Sequence, residues 1–417
     1  MATVNNNTPT LRFPEFKEEW ELKKFGEVAN FKVTNSFSRE NLNYGNGVVK
    51  NIHNGDIHTK FQTLFDITKE IVPFINEEIS INRISDDFYC KEGDIIFADA
   101  SEDLNDVGKS IEIVNLNNEK LLSGLHTLLA RLIEKTFKIG FNGFLFKSNN
   151  VRLQVQKESQ GSKVLSINVG RISGIKISFP TLQEQTKIAT FLTAVDEKLQ
   201  ALKQKKSLLE QYKKGVMQKI FSQELRFKDD NGKAFADWNY KNGNAIFQSI
   251  SDKKHNSDLP ILAITQEFGA IPRDLIDYTV SVTDKSVESY KVVQIGDFII
   301  SLRSFQGGIE YSNYKGICSP AYIILRPHIQ INNFFFKTYF KTESYIKELQ
   351  KNLEGIRDGK MISFKYFSDI KLPLPSLEEQ TKIATFLSTI DDKINQCQAQ
   401  ITNTEVWKKG LLQGMFV

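Results

Sequence analysis

The sequence predicts an α+β fold in which two similar mixed α/β domains alternate with two long helices paired as a coiled coil. Three observations carry that prediction. A stretch reading PTLQEQTKIATFLTAVDEKL from Pro180 returns as PSLEEQTKIATFLSTIDDKI from Pro375, 195 residues later. The match runs on without a gap, YKKGVMQKIF from Tyr212 answering WKKGLLQGMF from Trp407. Each copy also follows a domain-sized segment of short β-type runs broken by Gly, Asn and Asp, so the repeat fixes an alternating architecture.

The helices come first because their signal is strongest. Apolar residues fall at Ile188, Phe191, Leu192, Val195, Leu199, Leu202, Leu209, Tyr212, Val216 and Ile220 in one copy. In the other they fall at Ile383, Phe386, Leu387, Ile390, Ile394, Cys397, Ile401, Trp407, Leu411 and Met415. Steps of three and four place these on one face of a helix without proline, and that seam needs a partner. About 38 residues at ~1.5 Å each make a rod of about 57 Å. Thr181 and Ser376 are N-cap residues with Glu184 and Glu379 three positions on, which predicts a capping box at each start. The lysines Lys203, Lys205, Lys206, Lys213 and Lys214 read as a solvated helix face, with phosphate contact as the alternative.

The segments between are read in chain order. Residues 1–10 carry an Asn run and read as a disordered tail. The first domain spans 11–178 and the first helix 179–224; the second domain spans 225–373 and the last helix 374–417. Both domains open on a lead-in of the LRF type, at Leu11 and again at Leu225, each followed by a tryptophan, Trp20 or Trp238. This lead-in is expected to pack on the helix pair. Strands are expected in GVVKNIH (Gly47–His53), GDIIFADA (Gly93–Ala100), SIEIVNL (Ser110–Leu116) and GIKISFP (Gly174–Pro180). In the second domain they are expected in LPILAIT (Leu259–Thr265), GDFIISL (Gly296–Leu302) and AYIILRP (Ala321–Pro327). FNGFLFKSNNVRLQVQ and NNFFFKTYFKTESYIKELQK read as helices. GDIIFADAS and GDFIISLRS occupy similar places, so the two domains read as diverged copies of one fold.

Composition sets limits. The chain has 417 residues, 40% hydrophobic and 25% charged, with a net charge of +4. That is ordinary for a globular protein and says little about polyanion binding. Three distant cysteines and five scattered histidines give no metal-ligand spacing or disulfide framework. No signal peptide or long apolar run is present, so the expected location is the cytoplasm, with no membrane partner.

Catalytic motifs are missing. None of the ten prolines adjoins another, so the Pro-Pro element of an adenine methyltransferase base pocket is absent. SPAY at Ser319–Tyr322 reads as a turn into a strand. Gly108–Ser110 spells GKS, but Asp103 stands where a P-loop needs glycine, so no phosphate nest forms. Asp99, Asp103 and Asp106 read as a polar loop.

The doubled P-[ST]-L-x-E-Q-x-K-I-A-x-F-L-x-x-[VI]-D opening and the LRF…W lead-in resemble the specificity subunit of type I restriction–modification systems, over essentially the whole chain. The resemblance implies two target-recognition domains separated by two long antiparallel helices. It implies a non-catalytic subunit that reads a bipartite, asymmetric double-stranded DNA target, one half per domain. The implied partners are two modification subunits and two restriction subunits, with S-adenosylmethionine, ATP and magnesium belonging to those partners and no cofactor in this chain. Candidate DNA contacts in the first domain are Lys50, Asn51, Asn54, Ser101, Glu102, Lys109 and His126. In the second they are Gln266, Arg273, Arg303, Ser304 and Gln306. Arg and Gln suit this work because each can bond a purine edge bidentately. Lys163 and Arg357, on Gly-containing loops before the long helices, are candidates for phosphate contact. His126, flanked by apolar residues, is expected to be more structural than base-reading.

Overall fold

A computed structural model describes residues 7–133, 136–256, 258–276, 287–351 and 362–417. The chain divides into two compact units. Unit 1 takes the chain up to Lys203 together with Ala399–Val417, and unit 2 is Gln204–Gln398. The long helices, Leu182–Phe221 and Leu377–Gly414, therefore each give one part to either unit.

Within unit 1 the two helices run antiparallel. Lys408 pairs with Asp196, and Lys203 pairs with Glu405 at 2.8 Å. The seam residues Ile188, Leu192 and Val195 share one core with Leu411, Met415 and Phe416. Within unit 2 the same relation holds, with Lys213 and Asp391 at 2.5 Å and Val216, Ile220, Ile383, Leu387 and Ile390 in one core. The lysines of the first helix are thus divided between helix-pair salt bridges and others on the surface, such as Lys206 with Glu210 and Lys214 with Glu343.

The glutamates of the two openings do something other than complete a capping box. Ser376 Oγ accepts the Glu379 N–H at 3.2 Å, half of the predicted box. The carboxylate of Glu379, however, takes the Arg226 guanidinium, and that of Glu184 takes Arg12. Each arginine belongs to an LRF lead-in, so the buried acid ties the lead-in to the helix start. Next to it, Gln185 accepts the Lys138 N–H at 2.8 Å and donates to the carbonyls of Thr136 and Pro180. Gln380 likewise accepts the Asn332 N–H at 2.9 Å and donates to the Pro375 carbonyl. Phe13 packs edge-on to Phe191, and Phe227 to Phe386, as expected of a lead-in lying on the helices.

Each unit hangs a sheet on this base. In unit 1 the order is Ala29–Lys32, Thr127–Leu132, Ile95–Ala98, Ser110–Asn115, Leu64–Asp66, with only the last pairing parallel. In unit 2 it is Phe247–Ile250, Ile323–Pro327, Phe298–Ile300, Glu310–Tyr311, all antiparallel. The expected strands are all present, and the Gly-Asp strand is central in both sheets. It is apolar on both faces because both are covered. Ile95 and Phe97 enter the core shared with the helices, while Ile96 and Ala98 enter a second core with Ile52, Ile57 and Phe65. In unit 2, Phe298 and Ile300 face the helix side and Ile299 the other.

The Gly-Asp turn has its own reason. Gly93 and Gly296 adopt φ of 89° and 96°, a region that glycine enters without a Cβ penalty. The aspartate that follows is buried and paired bidentately with arginine: Asp94 with Arg131 at 2.9 and 2.8 Å, Asp297 with Arg326 at 2.7 and 2.7 Å. Each of the two predicted helices after the sheet is interrupted. Asn142–Leu145 and Asn149–Glu158 replace the first, and Asn333–Tyr339 and Glu343–Gln350 replace the second. The break falls at Ser148 and Thr342, both N-cap residues for the following helix, which favour extended dihedrals over helical ones. Ser319–Tyr322 is a turn entering the strand Ile323–Pro327.

Candidate nucleic-acid interface

In unit 1 the strand Val49–Ile52 leads into the short helix Asn54–Thr59. His53 caps that helix, its Nδ1 accepting the Gly55 N–H at 3.1 Å. Asp56 lies in the first turn and is buried, with 1% of its side chain exposed. It holds Arg39 through both Nη atoms at 3.1 Å and Lys60 at 2.9 Å. The Tyr44 hydroxyl accepts from Arg39 at 3.0 Å and from Lys60 at 3.2 Å. A buried acid thus presents two exposed cations beside an exposed phenol ring. Burial, with the Arg39 guanidinium next to it, pushes the His53 imidazole below its ordinary value.

The loop after Ile95–Ala98 joins this helix. Lys109 Nζ donates to the His58 carbonyl at 2.6 Å and pairs with Asp106 at 3.3 Å. The His58 ring meets the Ala100 carbonyl at 3.1 Å. Asn54, Ser101 and Lys109 are therefore brought into one region, with Glu102 exposed on the loop. Ser101 Oγ accepts the Asp103 N–H and so holds its own turn.

Two expectations in unit 1 need correction, those for Asn51 and Lys50. Asn51 is fully buried; its carbonyl oxygen accepts from Asn35 at 2.6 Å, so its amide serves the strand and reaches no groove. Lys50 has only 14% of its side chain exposed, pairs with Glu119 at 2.5 Å and lies over the Phe74 ring. His126 is exposed on a turn at φ 57°, its ring 3.4 Å from Asp99. Lys163 is exposed in a turn near Gly161.

In unit 2 the strands Leu262–Thr265 and Gly269–Pro272 form a hairpin. Gln266 at its tip reaches the Arg303 carbonyl at 3.4 Å and lies flat on Gly307, where an added Cβ would meet its side chain at 2.5 Å. Gln306 is exposed on the short helix Ser304–Gly307, and Arg303 is exposed at the N-cap position before it. That helix is pinned from behind: Lys341 donates to the Gly307 carbonyl at 2.9 Å and pairs with Glu310 at 2.6 Å, and Gln350 donates to the Phe305 carbonyl at 2.8 Å. Gln266, Arg303 and Gln306 thus share one surface with a rigid support. Ser304 is the exception. It is buried, and its hydroxyl accepts the Ser301 N–H at 2.8 Å, so it shapes the loop. Arg273 follows the hairpin in a short turn, its N–H on the Ile261 carbonyl. Arg357 lies outside the described residues.

The Arg39–Tyr44–Lys60 group was missed because its organiser, Asp56, is identifiable only once distant residues converge on it. The sequence signal was modest: an acid in the first turn of a helix entered directly from a strand. Among the described residues no group of His, Cys, Asp and Glu could hold a metal, and no helix is long and apolar enough to cross a membrane.

Two similar units, each presenting exposed polar side chains from pinned supports, define a modular recognition protein. The family described as "Type I restriction modification DNA specificity domain" matches residues 17–211 and 235–404, and the chain belongs to that family. It is thus a DNA-specificity subunit of the type I restriction–modification class. It is 28% identical over 421 residues to the "Putative type I restriction enzyme MjaX specificity subunit" of Methanocaldococcus jannaschii, covering 95% of this chain and 93% of that one. It is 27% identical over 307 residues to the MjaVIII specificity subunit of the same organism, covering 67% and 70%. The fold is similar to the crystal structure of a type I S subunit from M. genitalium, at TM-score 0.56 and 15% identity over 98% of this chain and 99% of that one. A second solved structure, reported on complex assembly and conformational transition of the type I R-M system, gives TM-score 0.57 and 17% identity over 94% and 96%.

Proposed function

We propose that each unit reads one half of a bipartite, asymmetric DNA target and that the paired helices set the length of the unread gap. The observation that carries this reading is the doubling of the family match, once per unit, on units that share strand order and helix-start hardware. Base contacts come from the Gln266, Arg303 and Gln306 surface in unit 2 and from the Asn54, Ser101, Glu102 and Lys109 region in unit 1. Arg39 and Lys60 supply phosphate contacts. Guanidinium and amide groups can bond purine edges bidentately in the major groove, while lysines add sequence-independent attraction. Tethering two weak readers raises the effective concentration of the second once the first is bound.

The chain scaffolds two modification subunits and two restriction subunits. Methyl transfer from S-adenosylmethionine to a flipped adenine and ATP-driven cleavage belong to those partners. No step of that chemistry falls to residues of this chain, whose work is binding and spacing in the cytoplasm where the DNA lies.

The test is methylome sequencing of cells expressing this chain with a cognate modification subunit, beside cells lacking it. A new two-part motif with a fixed gap and modified adenine on both strands is expected. No new methylation with the complex assembled would overturn the reading. Substituting Arg303→Ala should then relax the half-site read by unit 2 and leave the other half-site unchanged.

A further inference from the structure

The two units differ at one matched position. Lys147 and Lys341 each stand just before the N-cap residue of the second short helix after the sheet, Ser148 or Thr342. In unit 2 the groups there are satisfied. Lys341 pairs with Glu310 at 2.6 Å and donates to the Gly307 carbonyl at 2.9 Å, and Thr342 Oγ1 caps its helix by accepting the Tyr345 N–H at 3.3 Å. In unit 1 the same groups are left unmatched. Lys147 has no hydrogen bond or ion pair among the described residues, and burial together with the neighbouring Lys408, Lys109 and Arg152 pushes its ammonium down to about 8. Asp196, the acid that favours its charge, is taken by Lys408. Ser148 is fully buried, yet its hydroxyl neither caps the helix Asn149–Glu158 nor finds another partner among the described residues. Arg152, one turn further on, gives Nη2 to the Asn105 and Val107 carbonyls at 3.0 and 2.7 Å, while its Nη1 has no partner. Asp106, which favours the charge of Arg152, is held by Lys109 at 3.3 Å.

Lys109, Lys147, Arg152 and Lys408 are thus set against the carboxylates of Asp106 and Asp196. A lysine withdrawn from water and given like charges as neighbours is costly until an anion completes it. The uncapped first turn of Asn149–Glu158 adds partial positive charge next to Lys147 in the chain. The surroundings of this site choose the anion. Arg152 holds carbonyls of the loop that carries Ser101 and Glu102, and Lys109 holds the His58 carbonyl in the helix Asn54–Thr59. The cations therefore stand against the loop and helix assigned to DNA contact, and the anion that DNA presents at every step is its backbone phosphate.

We propose that Lys147, with Lys109 and the open first turn of the helix Asn149–Glu158, binds one backbone phosphate of the half-site read by unit 1. This rests on the reading that the Asn54, Ser101, Glu102 and Lys109 region meets DNA. Unit 2 has no equivalent contact, because Glu310 already occupies Lys341.

The test uses the chain assembled with its modification subunits and duplexes carrying the target, with each phosphate of the unit 1 half-site replaced in turn by an uncharged methylphosphonate. Wild-type complex should bind more weakly at several positions. At one of them Lys147→Met should show no loss beyond its own, while Lys147→Arg, which keeps the charge, should retain the wild-type sensitivity. On unmodified DNA, Lys147→Met should make the slope of log affinity against log salt shallower by about 0.9, the share of one phosphate. Its thermal midpoint without DNA should be unchanged or higher, since the ammonium has no partner to lose; a purely structural lysine would lower it. A Lys147→Met complex that keeps the wild-type salt slope and every methylphosphonate loss would overturn the proposal. A wild-type scan that is flat across the whole unit 1 half-site means that the DNA-contact reading of unit 1 has failed, and the proposal with it. If Lys147→Met weakens assembly with the modification subunits at an unchanged salt slope, the anion is a carboxylate of that partner and the phosphate is ruled out.

Discussion

Arg12 closes on Glu184 with two bonds of 2.7 Å, 172 residues apart in sequence, and the acid is left with 1% of its side chain exposed. The Arg226–Glu379 pair repeats the arrangement in unit 2. Removing one partner from a buried pair leaves an unmatched charge and costs about 3–5 kcal/mol. Arg12→Met should therefore lower the unfolding free energy of unit 1 by about 3 kcal/mol. Arg226→Met should act on unit 2 and by less, because that arginine is more exposed. Hydrogen exchange resolved by segment reads which unit has loosened.

The glutamine beside each of those acids gives a second expectation. Gln185 and Gln380 are buried, and each takes a main-chain N–H, that of Lys138 or Asn332. An alanine leaves that donor, and the carbonyls it served, without their partner, at about 1–3 kcal/mol. Gln380→Ala should show this as a lower denaturant midpoint with an unchanged slope, as expected for a loss of stability without a change in the surface exposed.

Glu112 makes unit 1 sensitive to pH. It is fully buried, accepts the N–H groups of Gly140 at 2.8 Å and Gly143 at 2.6 Å, and burial outweighs those bonds to push its carboxyl up to about 7. The unfolded chain releases the same proton near the ordinary value of 4.5. Between those values the folded state holds a proton that the unfolded state has lost, so stability falls as pH rises through the window and is flat above it. The full drop is about 3 kcal/mol. Chemical unfolding at pH 5 and pH 8 should show it for the wild type, and Glu112→Gln should remove most of the difference.

The helix pair carries matched charges at the repeat distance: Asp196 with Lys408, and Asp391 with Lys213. Each is partly exposed, so each contributes about 0.5–1 kcal/mol. Asp391→Lys should destabilise unit 2 by about that amount or slightly more, and Lys213→Asp in the same chain should restore most of it. A double-mutant cycle in thermal unfolding is the measurement. Two single losses that simply add would show that the pair is not coupled.

The helices, the doubled architecture and all seven expected strands were legible because each rests on a local period or on a repeated string. The apolar steps of Ile188, Leu192 and Val195 required a partner, and the repeat supplied it. What stayed hidden depends on who meets whom. Glu184 looked like a capping residue because its spacing from Thr181 fits one, and nothing local shows that Arg12 competes for it. Asn51 was a candidate for DNA contact, yet strand alternation turns it inward to Asn35. Ser304 has the same history beside Arg303. In the candidate surfaces, exposure and support decide which side chains are presented, and both come from Asp56, Lys341 and Gln350, which lie elsewhere in the chain.

The core of unit 1 is completed by Leu411, Met415 and Phe416, whereas every residue assigned to unit 2 precedes Ala399. Both units nevertheless draw on the last helix, unit 2 taking Ile383, Leu387 and Ile390 from its first half. The nascent first unit must wait, with Trp20, Phe141 and Leu192 lacking their last neighbours, until some two hundred further residues have been made. That departs from the usual order in which N-terminal parts settle first. A chain released after Gln398 would carry every residue of the later-made unit and lack the closing residues of the earliest-made one.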